Sequence, residues 1–218
     1  MSRTYQLNTE TAAAAKTVGV SQRIVEKGKY VGVFTVAEAV TSTRGTEGIE
    51  FRFKSNDGMT ADYLTVWTHK ENGEELMGAK LVSAIMVCVE AKSIKPAPAT
   101  VRKWDRDQRK EVDVKAEVYA DLMNRQIGVL LAREEYEKAD GSTDWKMALV
   151  LPFDAATDRT VAEKLDRKPT GEALPAIIER LSDRPLRTGG KPAARKPASQ
   201  TGGDSGGGFA DMEDDIPF

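Results

Sequence analysis

The sequence predicts a mainly β fold with helices (α+β), followed by a C-terminal tail without fixed structure. Three observations predict it. Between Gly28 and Thr68, β-branched and aromatic residues dominate and apolar and polar side chains alternate with a period of two, broken by turn residues. Between Leu76 and Val89 the apolar spacing becomes helical. From Leu186 onward large apolar residues nearly vanish, so that stretch cannot bury enough surface to order itself.

Gly28 to Val40, bounded by Gly28 and by Thr41-Ser42-Thr43, is rich in Val, Tyr, Phe and Thr and reads as a first strand. Ile49, Phe51 and Phe53 alternate with Glu50, Arg52 and Lys54 in a second. Asn56-Asp57-Gly58 supplies a turn, and Thr60 to Thr68 returns as a third, with Leu64 and Val66 on one face and Tyr63, Thr65 and Trp67 on the other. Both faces of that strand are partly apolar, so its inward side stays open. Asn72-Gly73-Glu74-Glu75 then opens a helix whose Leu76, Met77, Leu81, Val82, Ile85, Met86 and Val89 share a broad face. After Pro96 and Pro98, Arg102 to Lys110 reads as a charged loop. Two or three further strands follow, Val112 to Val118, Gln126 to Tyr136 and Trp145 to Phe153, the last two joined around Asp140-Gly141. Thr157 to Leu181 reads as two short helices separated by Pro169 and Gly171. This element order is that of an OB-type barrel, and a generic α+β barrel fits it too.

Composition sets the limits. A chain of 218 residues, 40% hydrophobic, can bury one core, and the polar C-terminal stretch leaves residues 1–185 to build it. No early stretch is long and apolar enough for a signal peptide or a membrane span, which points to a cytoplasmic protein. The single cysteine, Cys88, lies in an apolar run and reads as a buried thiol. The net charge is −2, and residues 201–218 hold five acids and no base, so residues 1–200 carry +3. Arg187, Lys191, Arg195 and Lys196 stand without an acid in residues 186–200, which leaves residues 1–185 at −1. A body of that charge would bind nucleic acid through a local patch and stacking, not through a global positive field.

Catalysis has little to stand on. There is one histidine, His69, and the sequence offers no His/Cys metal cluster, no Gly-rich phosphate loop and no Ser/His/Asp set. The reading is a binding protein, not an enzyme, with no cofactor and no metal. Single-strand binding asks for aromatic faces and nearby cations. Trp104 stands among Arg102, Lys103, Arg106, Arg109 and Lys110, either as a stacking residue or as a plug beneath a charged loop. Tyr63 and Trp67 share a strand face near Arg52 and Lys54; Tyr63 reads first as core and second as a stacking residue, and Trp67 as either. Arg44, in the first hairpin loop, is placed for a phosphate. Tyr136 and Trp145 flank the second hairpin and could grip a strand or another subunit. Thr4 to Gln22 reads as an arm on a neighbour or a frayed end, and edge strands could pair between chains, so a homo-oligomer is an open possibility.

The C-terminal eight residues have their own logic. Asp211, Glu213, Asp214 and Asp215 run into Ile216, Pro217 and Phe218. Pro217 fixes its own φ and biases Ile216 toward extended geometry, so an apolar pair is held open beside a free carboxylate. A partner could take the Phe218 ring in an apolar pocket, hold the carboxylate with a basic group and line the rim with cations. An ordinary solvated acidic tail is the plainer alternative. The Gly/Pro/Ala/Ser-rich linker of about 25 residues before it has an r.m.s. span of roughly 25–30 Å and displays the tip clear of the body.

Asp214 to Phe218 closely resembles the acidic tip of bacterial single-stranded DNA-binding proteins. The body order, with Gly32, Ala37-Glu38, Asn72-Gly73, Gly128 to Tyr136 and Gly141, is similar to that of phage-encoded members with a divergent OB fold. The resemblance implies three parts: an OB-like single-stranded DNA-binding domain over 1–185, a basic and Gly-rich linker over 186–210, and a protein-interaction tip over 211–218. It implies sequence-independent binding and protection of single strands in replication, recombination and repair inside a bacterial host cell, with the tip recruiting host or phage proteins of those pathways. A rival of another class is an adaptor or decoy that binds no DNA and occupies host pockets through its tip. A recombination enzyme or annealing factor with a borrowed tail is a second.

Overall fold

The computed structural model describes residues 6–9, 11–12, 23–105, 108–138 and 140–186. Arg106, the linker from Arg187 and the whole tip, Asp211 to Phe218, lie outside the described residues. Seven strands form one antiparallel sheet: β1 Gly28–Thr41, β2 Glu47–Ser55, β3 Thr60–His69, β4 Ala97–Asp105, β5 Lys110–Val118, β6 Gln126–Glu137 and β7 Thr143–Phe153. Helix α1, Met77–Val89, joins β3 to β4; two short helices, α2 Val161–Leu165 and α3 Leu174–Arg180, follow β7. The mainly β class with helices holds, and no described helix is long and apolar enough to cross a membrane.

The meander β1-β2-β3 forms as its alternation dictates. Phe34 pairs with Phe53, Ala37 with Phe51 and Phe51 with Leu64, all on the inner face. The Phe34 ring lies 4.5 Å from Phe51 and 5.9 Å from Phe53, centroid to centroid, a tilted and an edge contact of the kind aromatic quadrupoles favour. Val82, Ile85, Cys88 and Val89 of α1 close over this cluster at helical spacing, and Leu131, Met147 and Leu149 complete it from β6 and β7. Burial pushes the Cys88 thiol up to about 12.

β1 is the strand on which everything else is hung. One edge pairs with β2 along most of its length. The other edge is divided: Gly28 to Val33 pair with β6, and Glu38 pairs with Val118 of β5. Between these, Tyr119 N–H donates to Ala37 O and Asn124 N–H to Phe34 O, bridged by a 3-10 turn at Ala120–Leu122. Gly32 is required where β2 and β6 both meet β1, because a Cβ there would fall 2.1 Å from the Lys54 carbonyl oxygen.

Three expectations change. The helix begins at Met77, not Asn72: Gly73 takes φ +83° and donates to Lys70 O in a tight turn, and Leu76 N–H bonds to Thr68 O before the helix starts. The charged stretch Arg102 to Lys110 is not a loop but the tip region of a β4–β5 hairpin, paired from Ala97↔Val118 to Asp105↔Lys110. Pro98 is accommodated because β4 is an edge strand. The ladder also does not close into a barrel: among the described residues β3, β4 and β7 each have one strand partner.

Candidate nucleic-acid interface

β2 turns Ile49, Phe51 and Phe53 inward, so Glu50, Arg52 and Lys54 face outward, as their alternation requires. The β4–β5 hairpin lies against this outer face. The Arg52 guanidinium donates to the backbone carbonyl of Arg102 on β4. Lys103 Nζ stands 2.6 Å from Glu38 Oε1, whose residue is only 7% exposed. Burial, and then the Glu38 charge nearby, hold the Glu50 carboxyl above its ordinary value. Arg52 and Lys103 therefore fasten the hairpin to the sheet, with Lys103 neutralising a buried acid. Lys54 is exposed.

On the other face of the hairpin stand Arg102 and Trp104. Trp104 is 55% exposed, which rules out the plug beneath a loop. Arg102 and Trp104 sit opposite Asp113 and Glu111 on β5, and Arg102 Nε lies 3.7 Å from Asp113 Oδ1, so the aromatic is set among mixed charges. Arg44 is exposed in the β1–β2 turn, where its backbone N–H donates to Ser42 Oγ at 3.3 Å. Trp67 is half-buried beside Gly48, where a Cβ would approach its ring to 2.9 Å.

Tyr63 departs from expectation most. It is 54% exposed, not core, and its φ is +60°. The β2–β3 register shows why: Phe51 pairs with Leu64 and Phe53 with Ala61, leaving Asp62 and Tyr63 as two residues opposite the single Arg52. This is a bulge that swings the chain through the left-handed region, a conformation costly for a bulky side chain. Leu64 and Val66 stay buried after it, so the outward set of the third strand is Tyr63, Thr65 and Trp67.

The bulge also opens a groove of about 420 Å³ lined by Arg23, Asp62, Tyr63, Tyr136, Asp144, Trp145 and Lys146. Arg23 enters it because the segment before β1 runs along β3, with Ile24 N–H donating to Thr60 O at 2.7 Å. The Arg133 and Arg23 guanidinium carbons lie 4.9 and 5.7 Å from the Trp145 ring centroid, and Lys146 Nζ lies 6.0 Å from that of Tyr136. Asp144 braces this wall, accepting from Trp145 N–H at 2.8 Å and pairing with Lys138 at 2.7 Å; Lys138 is the main cause of its lowered carboxyl pKa. Of these groove residues the sequence marked Tyr63, Tyr136 and Trp145 for their aromatic character. Arg23, Arg133 and Lys146 carried no signal, because ordinary charge spacing does not say which cations converge on a ring.

The predicted contacts within the described residues thus divide among four places: Arg102 and Trp104 on the outer hairpin face, Arg52, Lys54 and Trp67 on the outer sheet face with Lys103 against it, Arg44 in the β1–β2 turn, and Tyr63 in the groove. Among the described residues no group of three or more His, Cys, Asp or Glu side chains is arranged to hold a metal ion. No protein-family model matches the chain, and no curated protein matches it.

Proposed function

We propose that this chain binds single-stranded DNA without strong sequence preference, through an OB-like body, and recruits replication, recombination and repair proteins through Asp211 to Phe218. The observation that carries the reading is exposure: Tyr63 and Trp104 are the two aromatic residues that stand more than half exposed among the described residues. Stacking faces in water, with Arg23 and Lys146 beside Tyr63 and Arg102 beside Trp104, are what a single strand needs and what a folded core does not. The OB-like part of the proposal is supported by connectivity. A three-stranded meander, a helix, and a return pair β6-β7 whose first strand rejoins β1 follow the OB order, with the β4–β5 hairpin inserted after the helix.

The test is titration of the intrinsic tryptophan fluorescence with oligo-dT at two salt concentrations. Quenching that saturates, with affinity that falls as salt rises, is the expected result. A folded protein with no affinity at low salt would sink the proposal. The adaptor or decoy reading is favoured by one observation, the tying of Lys103 to Glu38 and of Arg52 to a backbone carbonyl, which removes two cations from DNA. It predicts no quenching while proteins that receive the tip are still bound. Deleting Asp211 to Phe218 abolishes partner binding on either reading, and on the DNA-binding one leaves strand affinity equal or slightly higher.

A further inference from the structure

Most of the groove beside Tyr63 is explained by its own internal contacts, and one lining residue is not. Asp144 has its two oxygens engaged by Trp145 N–H and Lys138. Lys146 lies 3.7 Å from Glu134. Asp62 lines the same groove, half-buried, and forms no ion pair among the described residues. Its place there follows from the bulge, which sets Asp62 and Tyr63 together against Arg52.

A carboxylate beside an aromatic face has a defined chemistry toward bases. It accepts hydrogen bonds and donates none, so it meets the exocyclic amino group of cytosine and cannot satisfy the O4 carbonyl of thymine at the same place. Tyr63 supplies the surface on which a base stacks, and a groove of about 420 Å³ has room for one. Arg23 and Lys146 supply positive charge for the phosphate that accompanies it.

We propose that this groove is a single-base subsite that prefers an amino-bearing base over thymine, with Asp62 as the specificity-determining residue. The inference rests on the reading of the chain as a single-stranded DNA-binding protein and refines it: coating is tolerant of sequence overall, while one position along the bound strand reads the base edge.

The experiment compares the full-length protein's affinity for oligo-dT with its affinity for an oligomer of 5-methyl-dC of equal length. The two bases share the methyl group and ring size and differ at the edge that Asp62 would meet. One charge-assisted contact predicts about tenfold or more tighter binding of the 5-methyl-dC strand. Asp62→Ala should erase that ratio through weaker binding of the 5-methyl-dC strand. Equal wild-type affinities for the two strands overturn the subsite and leave the DNA-binding reading standing. A ratio that survives in Asp62→Ala overturns the role of Asp62. Binding to neither strand overturns both readings together. The wild-type comparison needs no variant, so a folding defect in Asp62→Ala cannot shelter the proposal.

Discussion

Replacing Tyr63 by glycine and, separately, by alanine isolates the backbone at the β3 bulge. Both variants delete a ring that is 54% exposed, so both lose the same contacts on its covered half and differ by a single methyl group. In an ordinary strand the alanine variant would be the more stable, by about 0.5–1 kcal/mol, because glycine has more freedom to lose. At φ +60° the order reverses. A Cβ in the left-handed region costs about 1–2 kcal/mol, which outweighs the glycine entropy and leaves Tyr63→Gly ahead by about 0.5–1 kcal/mol. Urea denaturation at a common slope resolves that difference, and in a thermal melt it amounts to about 1–4 °C for a domain of this size. Strand affinity moves differently. Each variant forfeits the same stacking, about 1–3 kcal/mol, so both bind oligo-dT about 5- to 150-fold more weakly. An alanine variant as stable as the glycine variant or more so would refute the left-handed bulge; undiminished affinity in both would refute Tyr63 as a contact.

Lys103→Met strands Glu38 beside Glu50 without its cation and should cost about 2–4 kcal/mol in urea, toward the low end of a broken buried pair because Lys103 is 34% exposed; adding Glu38→Gln should restore most of it, and simple additivity would contradict the pairing. Glu163 is buried at the start of α2, where its carboxylate accepts from the N–H groups of Thr160, Glu172 and Ala173, and these bonds lower its pKa to about 2. The unfolded carboxyl titrates near 4.3, so the folded state binds fewer protons, and the stabilisation, complete above the unfolded value, is lost as the pH falls from about 5 to about 2. The urea midpoint of wild type should therefore fall more steeply over that window than that of Glu163→Gln, and parallel curves would exclude the assignment. Trp104→Ala, at an exposed hairpin site, should leave the unfolding free energy in urea within about 0.5 kcal/mol of wild type and weaken oligo-dT binding about fivefold or more.

The meander was legible because each strand obeys one periodicity and each has one buried face. Ile49, Phe51 and Phe53 can face only the core, and their neighbours follow. The β4–β5 hairpin was hidden for the opposite reason. Apart from Val101 and Val118 its described side chains are half-buried or exposed, so charges stand on both faces and alternation carries no contrast. The helix start was misplaced because Asn72-Gly73 is a turn signal as readily as a helix signal, and only the φ of Gly73 decides between them. At the site, the bulge was invisible because nothing in Asp62-Tyr63 announces a left-handed residue; Tyr63 keeps the outward parity of Thr65 and Trp67, and the extra residue instead brings Ala61 inward opposite Phe53 in place of Asp62. Arg52 and Lys103 carried the right charge for DNA, and the acid and the carbonyl that take them up come from strands distant in sequence.

The divided edge of β1 has a consequence for how the protein is made. Gly28 pairs with Leu131 and Glu38 with Val118, so β1 waits for about 100 residues of further synthesis before its first half gains a second neighbour. The meander is complete only at His69, about 60 residues before β6, so at about 5–20 residues per second it stands for about 3–12 seconds on the ribosome with one edge of its longest strand open. A nascent chain stalled before Gln126 would present that edge to other chains, so the slow and hazardous interval in this protein's life precedes its release.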